Sequence, residues 1–341
     1  MDKYMNTILP GDCLEVLKTL PDEFIDCCVT SPPYWGLRDY GVTGQLGLES
    51  SYYEYVEKLC QVFDEVKRVL KKQGTCWINL GDTYGGSGGY GKSAVINHSS
   101  TGFKQRIDGS KKSGSRNVAP KCLLQIPSRF AIEMIKREWL LRNVIIWHKP
   151  NCLPNSVKDR FTVDFEYVFF FVKSKKYYFD QDAIREPHGK DKRMSGLRRA
   201  RELGYDGKGS YQDWYENKRV RKSWHDHSQD LTQGFAHQRR GKKVPHLVHP
   251  LGRNKRCVWT IPTRPYPGQH FATFPERLIE PMIIAGCPQG GIVLDPFMGS
   301  GTTAVVARKL KRNYTGIELN PEYIQQIKDR LNNSAEGGSN G

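Results

Sequence analysis

Tyr55, Leu59, Val62, Phe63, Val66, Val69 and Leu70 recur at the three- and four-residue spacing that gathers side chains on one face of a helix, and Gly74 closes that stretch. Two apolar runs of another kind bracket it. Ile25-Asp26-Cys27-Cys28-Val29 is compact and stops at Thr30-Ser31-Pro32-Pro33, so residues 24–29 read as a buried strand that delivers a loop. Residues 75–80 read as the next strand, which completes a βαβ rhythm. The rhythm starts earlier, with a short strand at 6–9, the turn Pro10-Gly11-Asp12 and a helix at 13–20. It continues with a helix at 127–137 and strands at 140–147 and 166–173, where the turn 173–176 predicts a hairpin onto 177–179. Across 185–256 apolar periodicity is lost. Beyond it come a helix at 274–285, a strand at 292–294, a helix at 302–310, a strand at 314–317 and a helix at 321–331. The expectation is one α/β sheet flanked by helices, built from two halves, 1–184 and 257–331, that an insertion at 185–256 separates. The Gly/Ser-rich stretch 85–115 predicts a mobile basic loop within 83–118, and the polar tail 332–341 predicts disorder.

A chain of 341 residues can hold one large domain with an insertion or two ordinary ones, and 38% hydrophobic with 11% aromatic residues excludes disorder throughout. The longest apolar runs, such as 163–172, are short and interrupted by charge, and the N-terminus lacks the apolar stretch of a signal peptide. No membrane and a cytoplasmic location are therefore expected. The nine cysteines form no CxxC pair and no Cys/His ladder, which predicts reduced thiols and no metal site. Charge changes the picture more. The formal net charge is +16, and it is concentrated: 185–256 holds 19 basic and 8 acidic residues, and 83–118 holds 6 basic and 1 acidic. The rest of the chain is formally neutral. Basic charge gathered in two segments is the footprint of a polyanion partner, most often nucleic acid, with a soluble protein that merely carries basic loops as the alternative. The candidate contacts in these segments are Lys92, Arg198, Arg199, Arg219, Arg221, Arg239, Arg240, Lys242 and Lys243.

Two segments carry candidate chemistry. In Val293-Leu294-Asp295-Pro296-Phe297-Met298-Gly299-Ser300-Gly301-Thr302-Thr303 a strand ends in an acid and a Gly-rich turn opens a helix. Glycines there permit close backbone approach to a ligand, and a helix N-terminus offers free N–H groups to an anion. Glu318 ends the following strand, 23 residues after Asp295, where a doubly wound sheet binds a ribose hydroxyl pair. The second segment, Thr30-Ser31-Pro32-Pro33-Tyr34-Trp35, lies at the carboxyl end of a strand. Its prolines stiffen the turn and leave carbonyls without partners inside the loop, and Tyr34 can stack on a planar ring.

Ser31-Pro32-Pro33-Tyr34 taken with the Asp295 to Thr303 segment resembles the amino-group DNA methyltransferases that use S-adenosylmethionine. The order, catalytic loop first and cofactor loop last, is similar to the permuted β group of that family. Gly11-Asp12, Trp147-His148-Lys149-Pro150-Asn151, Asp159-Arg160-Phe161-Thr162, Tyr178-Phe179-Asp180 and Phe274-Pro275-Glu276-Arg277-Leu278 resemble further family segments, whereas His270-Phe271-Ala272 departs from the common His-Pro. The resemblance covers about 1–184 and 257–331. It implies a permuted Rossmann-like fold with a mixed, mostly parallel sheet and an inserted DNA-recognition region. It also implies that Phe297, Gly299, Gly301, Thr302 and Asp295 line the cofactor, that Glu318 holds its ribose hydroxyls and that Asp12 accepts from its adenine amine. Ser31, Pro32, Pro33 and Tyr34 would hold the target base. An exocyclic amine conjugated to its ring is a poor nucleophile until its lone pair is localised, and the Ser31 hydroxyl and Pro32 carbonyl can accept its hydrogens. Such a base must leave the helix, and Tyr34 would stack on it.

Other motifs lead elsewhere. Gly86 to Ser93 satisfies the phosphate-loop pattern GxxxxGK[ST], but no helix-forming sequence follows. Cys287-Pro288 inverts the nucleophile pair of ring-carbon cytosine methyltransferases, and His225-Asp226-His227 lacks a second ligand pair. The reading is a site-specific DNA methyltransferase acting on cytosine N4, because relatives acting on adenine more often carry Asp where Ser31 stands. Adenine N6 is the alternative target, and a non-catalytic DNA-binding protein that keeps the fold is the alternative of another class. A prokaryotic or phage source and a restriction–modification setting follow from the resemblance. The recognition sequence, a cognate restriction endonuclease and the choice between monomer and homodimer are not legible in the sequence.

Overall fold

The computed structural model describes residues 2–37, 39–85, 118–187, 249, 251–263 and 274–336. Contacts divide the chain into one unit of Met1–Ala183 with Arg256–Gly341 and a second of Ile184–Lys255. In the second, Glu186 and Arg253 form an isolated antiparallel bridge. Lys92 and the eight basic residues named between Arg198 and Lys243 lie outside the described residues, as do the Gly86 to Ser93 motif, the 225–227 triplet and His270 to Ala272.

The first unit is built on an eight-stranded sheet of order β1-β8-β7-β2-β3-β5-β4-β6. Its strands are β1 (Thr7–Pro10), β2 (Ile25–Thr30), β3 (Leu70–Leu80), β4 (Leu140–His148), β5 (Phe165–Val172), β6 (Val258–Thr260), β7 (Ile292–Asp295) and β8 (Asn313–Glu318). From β1 to β3 all pairing is parallel. Only β5 runs against its neighbours β3 and β4, and β6 pairs with β4 in parallel, so the sheet is mixed and mostly parallel.

Strand alternation sorts side chains into two core layers. Cys28, Cys76, Ile78 and Leu294 pack with α1 (Cys13–Thr19), α2 (Tyr52–Val69) and α3 (Ile126–Lys136) on one face. Cys27, Val29, Trp77 and Val293 pack with α4 (Glu276–Gly286), α5 (Thr302–Lys309) and α6 (Pro321–Glu336) on the other. The adjacent Cys27 and Cys28 thus serve opposite layers, which is why the β2 run is apolar without a break. Helix α1 begins where Asp12 accepts from Leu14 N and Glu15 N, and α2 where Ser51 accepts from Glu54 N.

Three expectations change. Gly74 does not end α2: the helix stops at Val69, and Leu70 already pairs with Ile25. Residues 71–74 form an irregularity before Thr75 pairs with Cys27, and Lys71 binds the Asp26 carboxylate there at 2.8 and 2.9 Å. A Cβ on Gly74 would sit 2.5 Å from Leu70 Cγ and 3.0 Å from the Asp26 carbonyl, so the glycine serves close packing. Residues 177–179 form no strand. Tyr178 N donates to Gln73 O and the Tyr177 and Phe179 rings pack on Phe170, which carries the chain across the sheet face; the hairpin of this region joins β4 and β5 instead. Finally, α6 runs on through Glu336, so disorder is not the state of 332–336.

Candidate active site

In a doubly wound sheet the ligand crevice opens at the carboxyl ends of the strands, where strand order reverses. Here β7 leads through α5 to β8 on one side while β2 leads through α2 to β3 on the other, so the reversal falls between β7 and β2. The loops leaving β1, β2, β7 and β8 there line a cavity of about 1030 Å³. Of the residues expected from sequence, Asp12, Ser31, Pro32, Pro33, Tyr34, Phe297, Gly299, Thr302 and Glu318 share this cavity.

Asp295 and Gly301 are not among the residues that line it, and their hydrogen bonds and packing give each a structural part. The Asp295 carboxylate is 1% exposed and fully used: Oδ1 accepts from Thr30 Oγ1 at 2.6 Å and Phe297 N at 3.0 Å, and Oδ2 accepts from Thr303 Oγ1 at 2.6 Å. It ties β2 to the turn after β7 and supports the Gly-rich turn from beneath. Gly301 has φ +78° and caps α5, and a Cβ there would lie 2.7 Å from Ile327 Cγ2, so it serves the turn and the packing of α6.

Burial pushes the Asp295 carboxyl up from 3.8 to about 6. A folded-state value above the unfolded one means stability that is present below about pH 4 and is lost as pH rises through about 6. The loss is at most about 3 kcal/mol. Asp295→Asn should remove that dependence and still fold, because its amide can donate to Thr303 Oγ1, whose proton then turns toward Val29 O, 3.5 Å away. Denaturant unfolding of both proteins from pH 4 to pH 7 checks this; identical pH profiles would contradict it.

Glu318 closes β8 with both oxygens inside the turn. Oε2 accepts from Gly299 N at 2.7 Å and Oε1 from Asn320 N at 2.8 Å. Burial holds this carboxyl above the usual range. Gly299 has φ +54°, which brings its N–H to the carboxylate. Asp12 spends Oδ1 on the start of α1, and Oδ2 accepts no hydrogen bond among the described residues. The Thr302 hydroxyl is held by Arg330 Nη1 at 3.0 Å and lies 3.2 Å from Ser300 Oγ.

The opposite wall is the Ser31 to Tyr34 loop. Tyr55 OH donates to the Pro33 carbonyl at 2.8 Å, whereas the Pro32 carbonyl accepts nothing among the described residues. Ser31 Oγ donates to Asn79 Oδ1 at 3.4 Å. Tyr34 OH donates to Glu166 Oε2 at 2.6 Å, and burial with that carboxylate pushes its ionisation well above the usual phenol. The Tyr34 ring lies over Gly81, where a Cβ would come within 2.6 Å of it. Asn79, Lys149 and Glu166 complete the wall; Asn79 and Glu166 were not singled out from sequence, and Lys149 stood there only within the family-like segment 147–151. The available signal was a polar or charged residue set beside long apolar strands: Asn79 within Cys76 to Leu80, and Glu166 at the head of Tyr167 to Val172.

Cys287 is fully buried, its thiol is pushed up to about 12 by burial, and it does not line the cavity, so it is packed core. All nine cysteines are free.

An acid-ended β8 beside a Gly-rich turn, with a Ser-Pro-Pro-Tyr loop facing it across one cavity, is the arrangement in which doubly wound sheets bind ligands. Solved structures share the architecture. The cytosine-N4-specific PvuII DNA methyltransferase aligns with a TM-score of 0.55 at 19% identity over 97% of this chain and 93% of that one. A Thermus thermophilus protein crystallised with S-adenosyl-L-methionine aligns at 0.54 with 22% identity over 96% and 93%. In sequence, the Type II methyltransferase M.Cfr9I of Citrobacter freundii is 39% identical over 326 residues, which is 95% of this chain and 87% of that protein. Residues 25–329 match the DNA methylase family N6_N4_Mtase, and the chain belongs to that family.

Proposed function

We propose that this protein transfers a methyl group from S-adenosylmethionine to the N4 amine of a cytosine flipped out of duplex DNA. The observation that carries the reading is the Ser31 loop: a hydroxyl that donates to Asn79 Oδ1 at 3.4 Å and a Pro32 carbonyl without a hydrogen-bond partner among the described residues, on two residues that line the same cavity as Glu318 and the Gly-rich turn. When bound, S-adenosylmethionine would supply a methyl group activated by its sulfonium, the S–CH₃ bond being exchanged for an N–CH₃ bond with S-adenosylhomocysteine as the product and one amine proton released to solvent. The residues fit such a group: Glu318 keeps lone pairs for a ribose diol, Asp12 Oδ2, which accepts nothing among the described residues, can accept from an adenine amine, and Phe297 offers an apolar surface.

The chain's own work lies on the acceptor side. Ser31 Oγ and the Pro32 carbonyl accept the two amine hydrogens, draw the nitrogen lone pair out of conjugation and aim it across the cavity. Tyr34, held by Glu166, presents a ring on which the base stacks. No side chain needs to bond covalently to the base, which agrees with the burial of Cys287. Serine at position 31 favours cytosine over adenine, as the resemblance to N4-specific relatives implies. Residues 185–256, with 83–118, would hold the phosphates and read the sequence, since the net positive charge lies there. The Type II names of relatives such as M.Cfr9I support a restriction–modification setting. Incubation with duplex DNA and methyl-labelled S-adenosylmethionine tests the reading: label should enter DNA, and label that stays out of every duplex sequence would overturn it.

A further inference from the structure

In the reading above Glu166 serves only to hold Tyr34 and Lys149 has no part, yet both line the cavity beside Ser31. Glu166 is the second residue of β5, Asn79 lies near the end of β3, and Lys149 follows β4, so three adjacent strands bring them together. One carboxylate serves all three neighbours. Its Oε2 accepts from Tyr34 OH at 2.6 Å and Asn79 Nδ2 at 3.0 Å, and its Oε1 pairs with Lys149 Nζ, which also lies 4.5 Å above the Trp147 ring.

The consequence concerns the direction of the Asn79 amide. A carboxamide has a donor end and an acceptor end, and nothing in Asn79 itself decides which faces Ser31. Glu166 Oε2 and the Tyr167 carbonyl, at 3.0 and 3.1 Å, are both acceptors, so the NH₂ end is bound on their side and Oδ1 faces Ser31. Tyr34 has a single proton, and it goes to Glu166 at 2.6 Å in preference to Asn79 Oδ1 at 3.2 Å. Ser31 is therefore the hydroxyl left to donate to Oδ1. Were the amide reversed, its NH₂ would donate to Ser31 Oγ and occupy the lone pair that the target amine needs.

We infer that Glu166 is a positioning residue that sets the polarity of the Asn79 amide, so that the Ser31 oxygen meets the target amine as an acceptor. Lys149 holds the carboxylate in place and offsets its charge. The inference rests on the methyl-transfer reading of the same cavity and adds a residue outside the Ser-Pro-Pro-Tyr motif.

The test is single-turnover methyl transfer by Glu166→Met, which removes both acceptor oxygens at similar side-chain length, with cofactor affinity and thermal unfolding measured in parallel. The rate at saturation should fall at least about thirty-fold while cofactor affinity is unchanged, because the contact acts on the chemical step. A second substitution supplies a readout that a structural role would not move. Asn79→Asp presents an oxygen to Ser31 whichever way it turns and gives Lys149 a countercharge, so Glu166→Met/Asn79→Asp should be faster than Glu166→Met by at least about tenfold. If Glu166→Met does not fold, Glu166→Leu, which likewise presents no acceptor, carries the same comparison with and without Asn79→Asp. Single variants at the parent rate, or double variants no faster than the single ones, overturn the inference. Failure of the functional reading is separate and visible first, as a parent protein that puts no methyl group into DNA.

Discussion

Ser31→Ala is expected to lower the single-turnover rate of methyl transfer by about 10²–10³-fold, the size of effect seen when one preorganised polar contact to a reacting group is removed. The reason is local. Ser31 is held at the end of β2 with its proton directed to Asn79, so its oxygen interacts most strongly when the target amine loses its conjugation. A contact that strengthens only in the transition state changes the rate and leaves ground-state binding alone. Cofactor affinity and unfolding midpoint should match the parent, since no hydrogen bond of the Gly-rich turn involves Ser31. Titration of the cofactor beside rapid-quench kinetics separates the two effects. A variant as fast as the parent would remove Ser31 from the mechanism.

Glu318→Ala should act on the other wall and in the opposite sense. Removing an ionised acceptor from a ribose diol costs about 2 kcal/mol, or roughly thirty-fold in cofactor affinity. Part of that loss comes from the turn, because the Gly299 and Asn320 N–H groups lose their acceptor together. Glu318→Gln keeps an acceptor for one of them, so it should bind the cofactor more tightly than Glu318→Ala and less tightly than the parent. Isothermal calorimetry reads all three. Equal affinities would mean that the ribose site lies elsewhere in the cavity.

The two faces of this site were not equally legible in the sequence. Strands β2 and β7 were visible because they are buried on both sides and therefore read as unbroken apolar runs that end in a turn. The Ser31 and Gly299 loops followed from those strand ends. Gly74 misled because a glycine after a helical pattern ordinarily caps it, whereas here it fits beneath Leu70 in a strand irregularity. Asp295 was assigned to the cofactor by its place at a strand end, and only packing shows that Thr30, 265 residues away, consumes it from below. Glu166 was missed for the same kind of reason. Its partners Tyr34 and Asn79 lie 132 and 87 residues away, and pairing across β3, β5 and β4 is a product of topology that no local pattern records.

The central claim is that the Ser31 loop directs methylation to an exocyclic amine, that of cytosine. Mass spectrometry of nucleosides from duplex DNA methylated by the purified protein tests it most directly. The expected product is N4-methyldeoxycytidine as the single new nucleoside, carried in one sequence context. N6-methyldeoxyadenosine in its place would contradict the choice of base, and 5-methyldeoxycytidine would contradict the chemistry assigned to Ser31 and Pro32.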